Sequence, residues 1–411
     1  MTTSKIKNLT TVALIGLVLI AGASQARPAT CSVPSVAYPT IQAAVDDFSC
    51  DPINVAPGVY NENISIPRSL VLNGAQAGQP VAGRISGGPA ESTLRGANPT
   101  GSIPVILINA THVTVNGFTI KNSVSANAAI GIQITPVSND PIIRNDIFDG
   151  INTLDAGVNG TAQAIFLESG PIRVEIFLNQ IQNVAGSRAA RAIFIGDGVA
   201  ANPTDNVYIH DNTITGITST LGGAYGLLAA TTQGVSAIHF AFNDLSNLEG
   251  GALVHGVGLE CDTLGAAVHQ NNFTNLIGPA TDNVAVWFAN NPSTFFASVN
   301  DNKFNLTIMS YGIGIQEGLT PSADPLSGQC NWWGSPDGPG PVGPGHGARV
   351  SPNVDYSPWL VTPGPDRVCT GNNVPSTEAQ CKNGGWTRTV RANGTAFKSQ
   401  GDCIQYVNTG Q

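Results

Sequence analysis

A short pattern recurs through most of this chain: Asn, any residue, then a large apolar residue. It reads Asn116-Gly-Phe118, Asn145-Asp-Ile147, Asn179-Gln-Ile181 and Asn212-Thr-Ile214, then Asn243-Asp-Leu245, Asn271-Asn-Phe273, Asn302-Lys-Phe304 and Asn331-Trp-Trp333. Successive asparagines stand 29, 34, 33, 31, 28, 31 and 29 residues apart. A fixed period of this length is the mark of a repeat architecture. Short alternating segments precede the asparagines, as at Val113–Val115, Val207–Ile209, Ile238–Phe240 and Ala267–His269. Alternation marks half-buried strands. A second strand falls mid-repeat, at Ala164–Leu167, Ala192–Ile195, Ala285–Phe288 and Gly312–Ile315.

A unit of two or three tiny strands cannot bury its apolar face alone. Stacking near-identical units pairs each strand with its counterpart one turn away and joins the inward side chains into one core. No long helical pattern is present to serve α/β crossovers. The expected fold is therefore all-β, a right-handed parallel β-helix solenoid with a short N-terminal capping helix. Asparagine at one fixed corner suits such a coil, because stacked amides bond each other and satisfy buried polar groups. About ten turns at ~4.8 Å each make a rod of ~45–50 Å.

The ends of the chain read differently. Lys5 and Lys7 precede an apolar run from Val12 to Ala23, followed by Ser24-Gln25-Ala26. That is a signal peptide over residues 1–26, cleaved near Ala26, which makes the mature chain secreted or exposed at the cell surface. No second long apolar run follows, so no membrane span is expected in the mature chain. Its loss takes the net charge from -9 to about -11. Such a chain is no non-specific nucleic-acid binder, since phosphate binding needs clustered Lys and Arg. An acidic polymer would also be repelled unless a basic patch or bound calcium intervenes. The seven cysteines are disulfide candidates in a secreted chain. Cys31 with Cys50, and Cys381 with Cys403, are local pairs; Cys330 with Cys369 is a third, leaving Cys261 as a buried thiol.

An exposed rod end needs a cap. Thr40-Ile-Gln-Ala-Ala-Val-Asp46 has apolar residues at helical spacing and suits that role. Ile53-Asn-Val-Ala-Pro-Gly-Val-Tyr60 follows, then Asn61–Ile66 and Ser69–Gly74. This opening resembles that of pectin-lyase-like β-helix proteins, including pectinesterases. Cys330-Asn-Trp-Trp-Gly-Ser-Pro-Asp-Gly-Pro339 resembles the closing turn of many secreted bacterial β-helix proteins. The resemblance spans Ala37 to Leu360. It implies the fold and carbohydrate-active company, but one fold hosts lyases, hydrolases, esterases, epimerases and adhesins. The β-helix with its cap is placed at residues 27–360, a linker at 361–380, and a small disulfide-closed tail at 381–411.

The catalytic motifs of those relatives are not found. The sole Asp-Asp pair, Asp46-Asp47, lies in the cap, whereas related polygalacturonases carry theirs in a strand repeat. Arg144, Arg173, Arg188 and Arg191 exist, but no pectate-lyase motif surrounds them. A weaker arrangement is an acidic edge. Glu168 follows the strand Ala164–Leu167, Asp197 follows Ala192–Ile195, Glu260 and Asp262 follow Gly256–Leu259, and Glu317 follows Gly312–Ile315. Equal phase in a coil sets such residues along one side. With Arg191 and His255 nearby, the edge suits carboxylate acid/base chemistry or calcium; ordinary solvated acids are the alternative. No other cofactor is expected. His210, His239 and His269 are expected to form an exposed file, and Trp287, Trp332, Trp333 and Trp359 are candidate sugar platforms, with Trp333 better placed in the core.

Three functions follow from this reading. The chain binds or processes an extracellular polysaccharide, as a monomer; or it is a non-catalytic surface or matrix adhesion protein; or it is a polysaccharide lyase, glycoside hydrolase or esterase with an acidic groove. Carboxylates converging in one groove with aromatic flanks would speak for turnover, and a flat face without convergence for adhesion.

Overall fold

The computed structural model describes residues 29–363 except 155, 158, 198–201, 280–281, 290–293, 307–308 and 323–324, and residues 375–410 except 376, 383, 388, 390, 392–394 and 396. The expected signal peptide and most of the linker lie outside the described residues.

The chain is a parallel β-helix. Among the described residues each complete turn contributes one strand to each of three sheets, here faces A, B and C, which hold 12, 9 and 10 strands because the terminal turns are incomplete. One turn shows the path: Ile172–Phe177 on face A, Gln180–Gly186 on face B, Ala189–Gly196 on face C. Every strand pairs in parallel with its counterpart one turn away, as Val174 with Val207, Ile181 with Ile214 and Ile193 with Leu227. The inward residues of that turn, Val174, Ile176, Ile181, Val184, Ile193 and Ile195, are all fully buried. The core is thus one continuous column, as the period demanded.

The corner between faces A and B carries the ladder. Asn179 Nδ2 donates to Asn212 Oδ1 at 3.1 Å, Asn212 to Asn243 at 2.9 Å, Asn243 to Asn271 at 3.1 Å, Asn271 to Asn302 at 3.0 Å and Asn302 to Asn331 at 3.1 Å. Each Oδ1 also accepts the backbone N–H of the preceding ladder residue, as Asn243 accepts from Asn212 at 3.0 Å. The residue just before each ladder position is left-handed: Leu178, Asp211, Phe242, Gln270, Asp301 and Cys330 have φ of 55–59°.

Asn116 and Asn145 were expected in this file and are not in it. Asn145 is itself the left-handed residue, with φ of 52°, and Asp146 occupies the ladder position. Its neighbours prove the register: Asp146 N–H donates to Asn179 Oδ1 at 3.0 Å and Phe118 N–H donates to Asp146 Oδ1 at 2.8 Å. In the turn before, Gly117 is the left-handed residue and Phe118 the ladder position. Asn116 and Asn145 join a second amide chain instead, with Asn145 donating to Asn116 at 3.1 Å, Asn116 to Asn73 at 3.4 Å and Asn73 to Asn54 at 3.1 Å. The Asn-x-apolar pattern is offset by one residue in this turn, since Ile147 pairs with Gln180 and Phe148 with Ile181.

The cap is as expected. Helix α1, Ile41–Asp46, buries Ile41, Ala44 and Val45. Thr40 Oγ1 accepts from Ala43 N–H at 3.2 Å, and the Glu62 carboxylate accepts from Ile41 and Gln42 N–H, both at 3.1 Å. A carboxylate at a helix start satisfies orphan N–H groups. At the other end Arg68 donates to the carbonyls of Val45 at 2.8 Å, Asp47 at 2.9 Å and Cys50 at 2.7 Å. Replacing Arg68 with Ala strips those carbonyls of a charged donor, so urea unfolding should report a loss of about 2 kcal/mol. An unchanged midpoint would show that water substitutes fully. The Asp46-Asp47 pair serves this cap: Asp47 accepts from Tyr38 Oη at 2.8 Å and from Ser49 N–H at 2.9 Å.

Cys31 bonds Cys50, with Cα atoms 5.3 Å apart, and Cys381 bonds Cys403, at 5.7 Å. Cys261 is free and buried. Cys330 is disulfide-bonded; its expected partner, Cys369, lies outside the described residues. In the tail, helices α2 (Glu378–Cys381) and α3 (Gln400–Thr409) pack around a separate small cluster of Cys381, Phe397 and Cys403. No helix among the described residues is long and apolar enough to cross a membrane.

Candidate functional site

Face C carries the acidic edge, and its outward side chains run in two files. The first is Gln163, Arg191, Tyr225, His255, Val284 and Tyr311. The second is Gln133, Phe166, Phe194, Leu228, Gly258, Trp287 and Gly314. The sequence does this by placing bulky residues at the same two offsets in successive repeats, so that strand pairing lines them up.

These side chains lie against one another. Phe166 and Phe194 stack at 5.2 Å, and the Arg191 guanidinium sits 4.2 Å over Phe194. His255 meets Tyr225 edge-on at 5.6 Å and Trp287 at 5.6 Å. His255 Nδ1 lies 3.0 Å from Glu260 Oε1. Gly258 makes room for that pair: a Cβ there would stand 3.3 Å from both Glu260 Oε1 and His255 Nδ1. Burial lowers the Arg191 pKa and raises that of Tyr225. Two polar atoms in the strip, Gln163 Oε1 and Arg191 Nε, are buried with no hydrogen-bond partner.

At the end of these strands the chain turns, and a depression of about 350 Å³ opens there, lined by Asp197, Ala230, Thr231, Thr232, Glu260, Cys261 and Asp262. Three of the expected acids thus share one site. Desolvation opposes ionisation of Asp197, but hydrogen bonds outweigh it. Thr232 N–H donates at 2.7 Å, Thr231 Oγ1 at 2.8 Å and Thr232 Oγ1 at 3.1 Å, and the pKa is lowered. Asp262 Oδ1 is buried without a hydrogen-bond partner. Burial pushes the Cys261 thiol up to about 12, so it is no nucleophile near neutral pH.

The other two acids stand apart. Glu168 is in register with Gly196 and Ala230, which puts it in the same file as Glu260 but three turns away, or ~14 Å; Gln133 Nε2 donates to it. Glu317 is exposed beyond the strand Tyr311–Ile315. The edge is therefore a cluster of three with one outlier on each side. Among the described residues no three His, Cys, Asp or Glu side chains gather closely enough to hold a metal ion.

The remaining candidates sort by register. Trp333 and Trp359 are buried, as is Trp332, whose Nε1 donates to Asn305 Oδ1 at 3.1 Å. Trp287 alone of the four is partly exposed. The three histidines do not make one file: on face A His210 aligns with Ala241 and then His269, while His239 lies in the neighbouring file after Tyr208. Sequence reading missed Phe166, Phe194 and Tyr225 as parts of the strip. The signal was there, in aromatic residues at matching offsets of successive mid-repeat strands. A larger cleft of about 530 Å³ lies between the last turn and the tail, near Tyr356, Trp359 and Tyr406, and holds none of the expected acids.

The fold and site define a class: a parallel β-helix with an aromatic, acid-edged strip along one face. No protein-family profile and no curated protein matches the chain. Among solved structures it is similar to the tailspike protein of E. coli bacteriophage HK620 in complex with pentasaccharide, at 14% identity and a TM-score of 0.25, over 71% of this chain and 61% of that one. A mutant of that tailspike aligns at 13% identity and a TM-score of 0.25, over 69% of this chain and 59% of its own. The catalytic domain of a GH87 alpha-1,3-glucanase in complex with tetrasaccharides aligns at 12% identity and a TM-score of 0.19, over 72% and 70%. The chain spans about three fifths of the length of the tailspike chains. Likenesses this distant carry no argument about the site.

Proposed function

We propose that this chain is a secreted β-helix protein that binds an extracellular polysaccharide along face C. The observation that carries the reading is convergence. Asp197, Glu260 and Asp262 line one depression, and the partly exposed rings of Phe194 and Trp287 lie in an adjoining file of the same sheet. Aromatic rings beside hydrogen-bonding carboxylates suit sugars, whose apolar ring faces stack while their hydroxyls bond. The two bridges Cys31–Cys50 and Cys381–Cys403 are compatible with an oxidising compartment. In this reading residues 27–360 are the glycan-binding rod, 361–380 a linker and 381–411 a terminal knob, in a monomer.

A second reading, turnover at the depression, is favoured by one specific contact. His255 Nδ1 lies 3.0 Å from Glu260 Oε1, and three donors hold Asp197, so the depression carries two positioned carboxylates, the kind of pair that acid/base work on a glycosidic bond uses. Affinity electrophoresis against a panel of neutral and acidic polysaccharides tests binding, and assays for reducing ends and unsaturated products test turnover. Retardation by at least one polymer is expected, weakened about tenfold by Trp287→Ala. A mobility that no polymer changes would end the face C reading. Products abolished by Glu260→Gln would promote the second.

A further inference from the structure

Face A holds an aromatic arrangement that the face C reading does not use. Tyr208 and His239 stack with centroids 4.7 Å apart and planes 2° from parallel. They belong to adjacent turns, in register on one outward file. Beside them Phe177 and His210 stack at 5.0 Å. Neighbouring strands lie ~4.8 Å apart, so rings stacked along the file stand across the rod axis. His239 covers one face of the Tyr208 ring, from the turn that follows. The other face looks toward the preceding turn, where the same file holds Glu175 instead of a ring.

That open side is a depression of about 470 Å³ lined by Arg173, Glu175, Asn206 and Tyr208. Tyr208 is 42% exposed. Arg173 is neutralised by Asp140, with Nε 2.5 Å from Oδ1 and Nη2 2.8 Å from Oδ2. Glu175 Oε1 lies 3.3 Å from His210 Nε2, and Asn206 Nδ2 donates to Asp205 at 2.6 Å. Desolvation, and then the charge of His269, lower the His239 pKa, which favours the neutral ring behind Tyr208.

We propose that this depression is a second ligand subsite, which takes one pyranose ring of a neutral sugar against the open face of Tyr208. The sugar ring continues the stack by one layer. Its axial C–H bonds face the tyrosine, and its hydroxyls bond Glu175 and Asn206 at the rim. The ion-paired Arg173 leaves no net positive charge to select an anion, and the carboxylate of Glu175 disfavours one. The site does not depend on the face C reading, because its residues come from a different sheet.

Saturation-transfer NMR on the full chain with cellobiose, maltose, laminaribiose and xylobiose tests this. At least one disaccharide should bind, with affinity about tenfold lower in Tyr208→Ala and unchanged in Tyr208→Phe. Glu175→Gln should weaken it by a smaller factor, both in the parent and in a Trp287→Ala background that removes the face C contribution. Should Tyr208→Ala fail to fold, Tyr208→Leu and Glu175→Gln carry the test. Absence of transfer to all four sugars overturns the proposal, as does binding that Tyr208→Ala leaves unaltered or that Trp287→Ala alone abolishes. Binding of indole but of no sugar would also overturn it.

Discussion

Replacing Asp146 with Asn should raise the stability of this protein at pH 8 by about 2–4 kcal/mol and do little below about pH 4. Among the described residues Asp146 is the only acid at a ladder position, which asparagine fills in every turn from Asn179 to Asn331. Each asparagine sends Nδ2 to a carbonyl of the preceding turn, three residues before that turn's ladder position: Asn179 to Ile143, Asn212 to Ile176, Asn243 to Ile209. The equivalent acceptor for residue 146 is the Val115 carbonyl. A carboxylate has no proton to give it, and Asp146 Oδ2 is buried with no hydrogen-bond partner. Burial is the main cause that pushes the Asp146 pKa up to about 7; the Phe118 N–H and the Arg84 guanidinium oppose it.

The sign follows from linkage. The folded chain holds this proton more tightly than the unfolded chain does. The contribution of Asp146 is complete below its unfolded value near 4 and is lost as pH rises through about 7. Asparagine carries the donor at every pH, so the advantage of the variant should grow across that window and then level off. Urea unfolding at pH 4.5 and pH 8 measures it. A variant no more stable than the parent at pH 8, or an advantage equal at both pH values, would show that Asp146 is not protonated in the file.

Asn243→Ala should cost about 4 kcal/mol or more at any pH. Its Oδ1 accepts from Asn212 N–H at 3.0 Å and Asn212 Nδ2 at 2.9 Å, and its Nδ2 donates to Ile209 O at 2.9 Å. Alanine leaves the Asn212 N–H buried without its acceptor and leaves a void in a closely packed corner. Each abandoned buried group costs ~1–3 kcal/mol. Asn243→Asp is the informative companion: it keeps the acceptor but buries a charge, so it should be tolerated at pH 4.5 and destabilising at pH 8, mirroring Asp146. A loss under about 1 kcal/mol for alanine would mean that water enters the corner and replaces the amide.

Much of this molecule was legible from its residues. The period of the Asn-x-apolar pattern set the architecture, since short strands repeated at that interval have no other way to bury their inward faces. Thr40 and the apolar spacing after it marked α1, and the cysteine spacings pointed to Cys31–Cys50 and Cys381–Cys403. Even the phase of the acids held well enough to bring Asp197, Glu260 and Asp262 together. Phase alone failed at Glu317, because a strand fixes register only as far as it runs, and beyond Ile315 the chain is free to turn outward. It failed at Asn145 because the adjacent polar residue Asp146 can equally occupy the corner, and at Asn116 because the corner of that turn falls to Phe118.

What the linear pattern determined is periodic: that turns repeat, that they stack, and that amides line one corner. What only the folded chain decided is lateral. Strand pairing selected Asp146 over Asn145 for the ladder, since the choice rests on which residue takes the left-handed conformation and which meets Asn179. Pairing likewise set Phe166 against Phe194 and left one face of Tyr208 open, for those neighbours are some thirty residues apart in the chain. Contacts across turns depend on register to the single residue, whereas a repeat in sequence tolerates a slip of one or two.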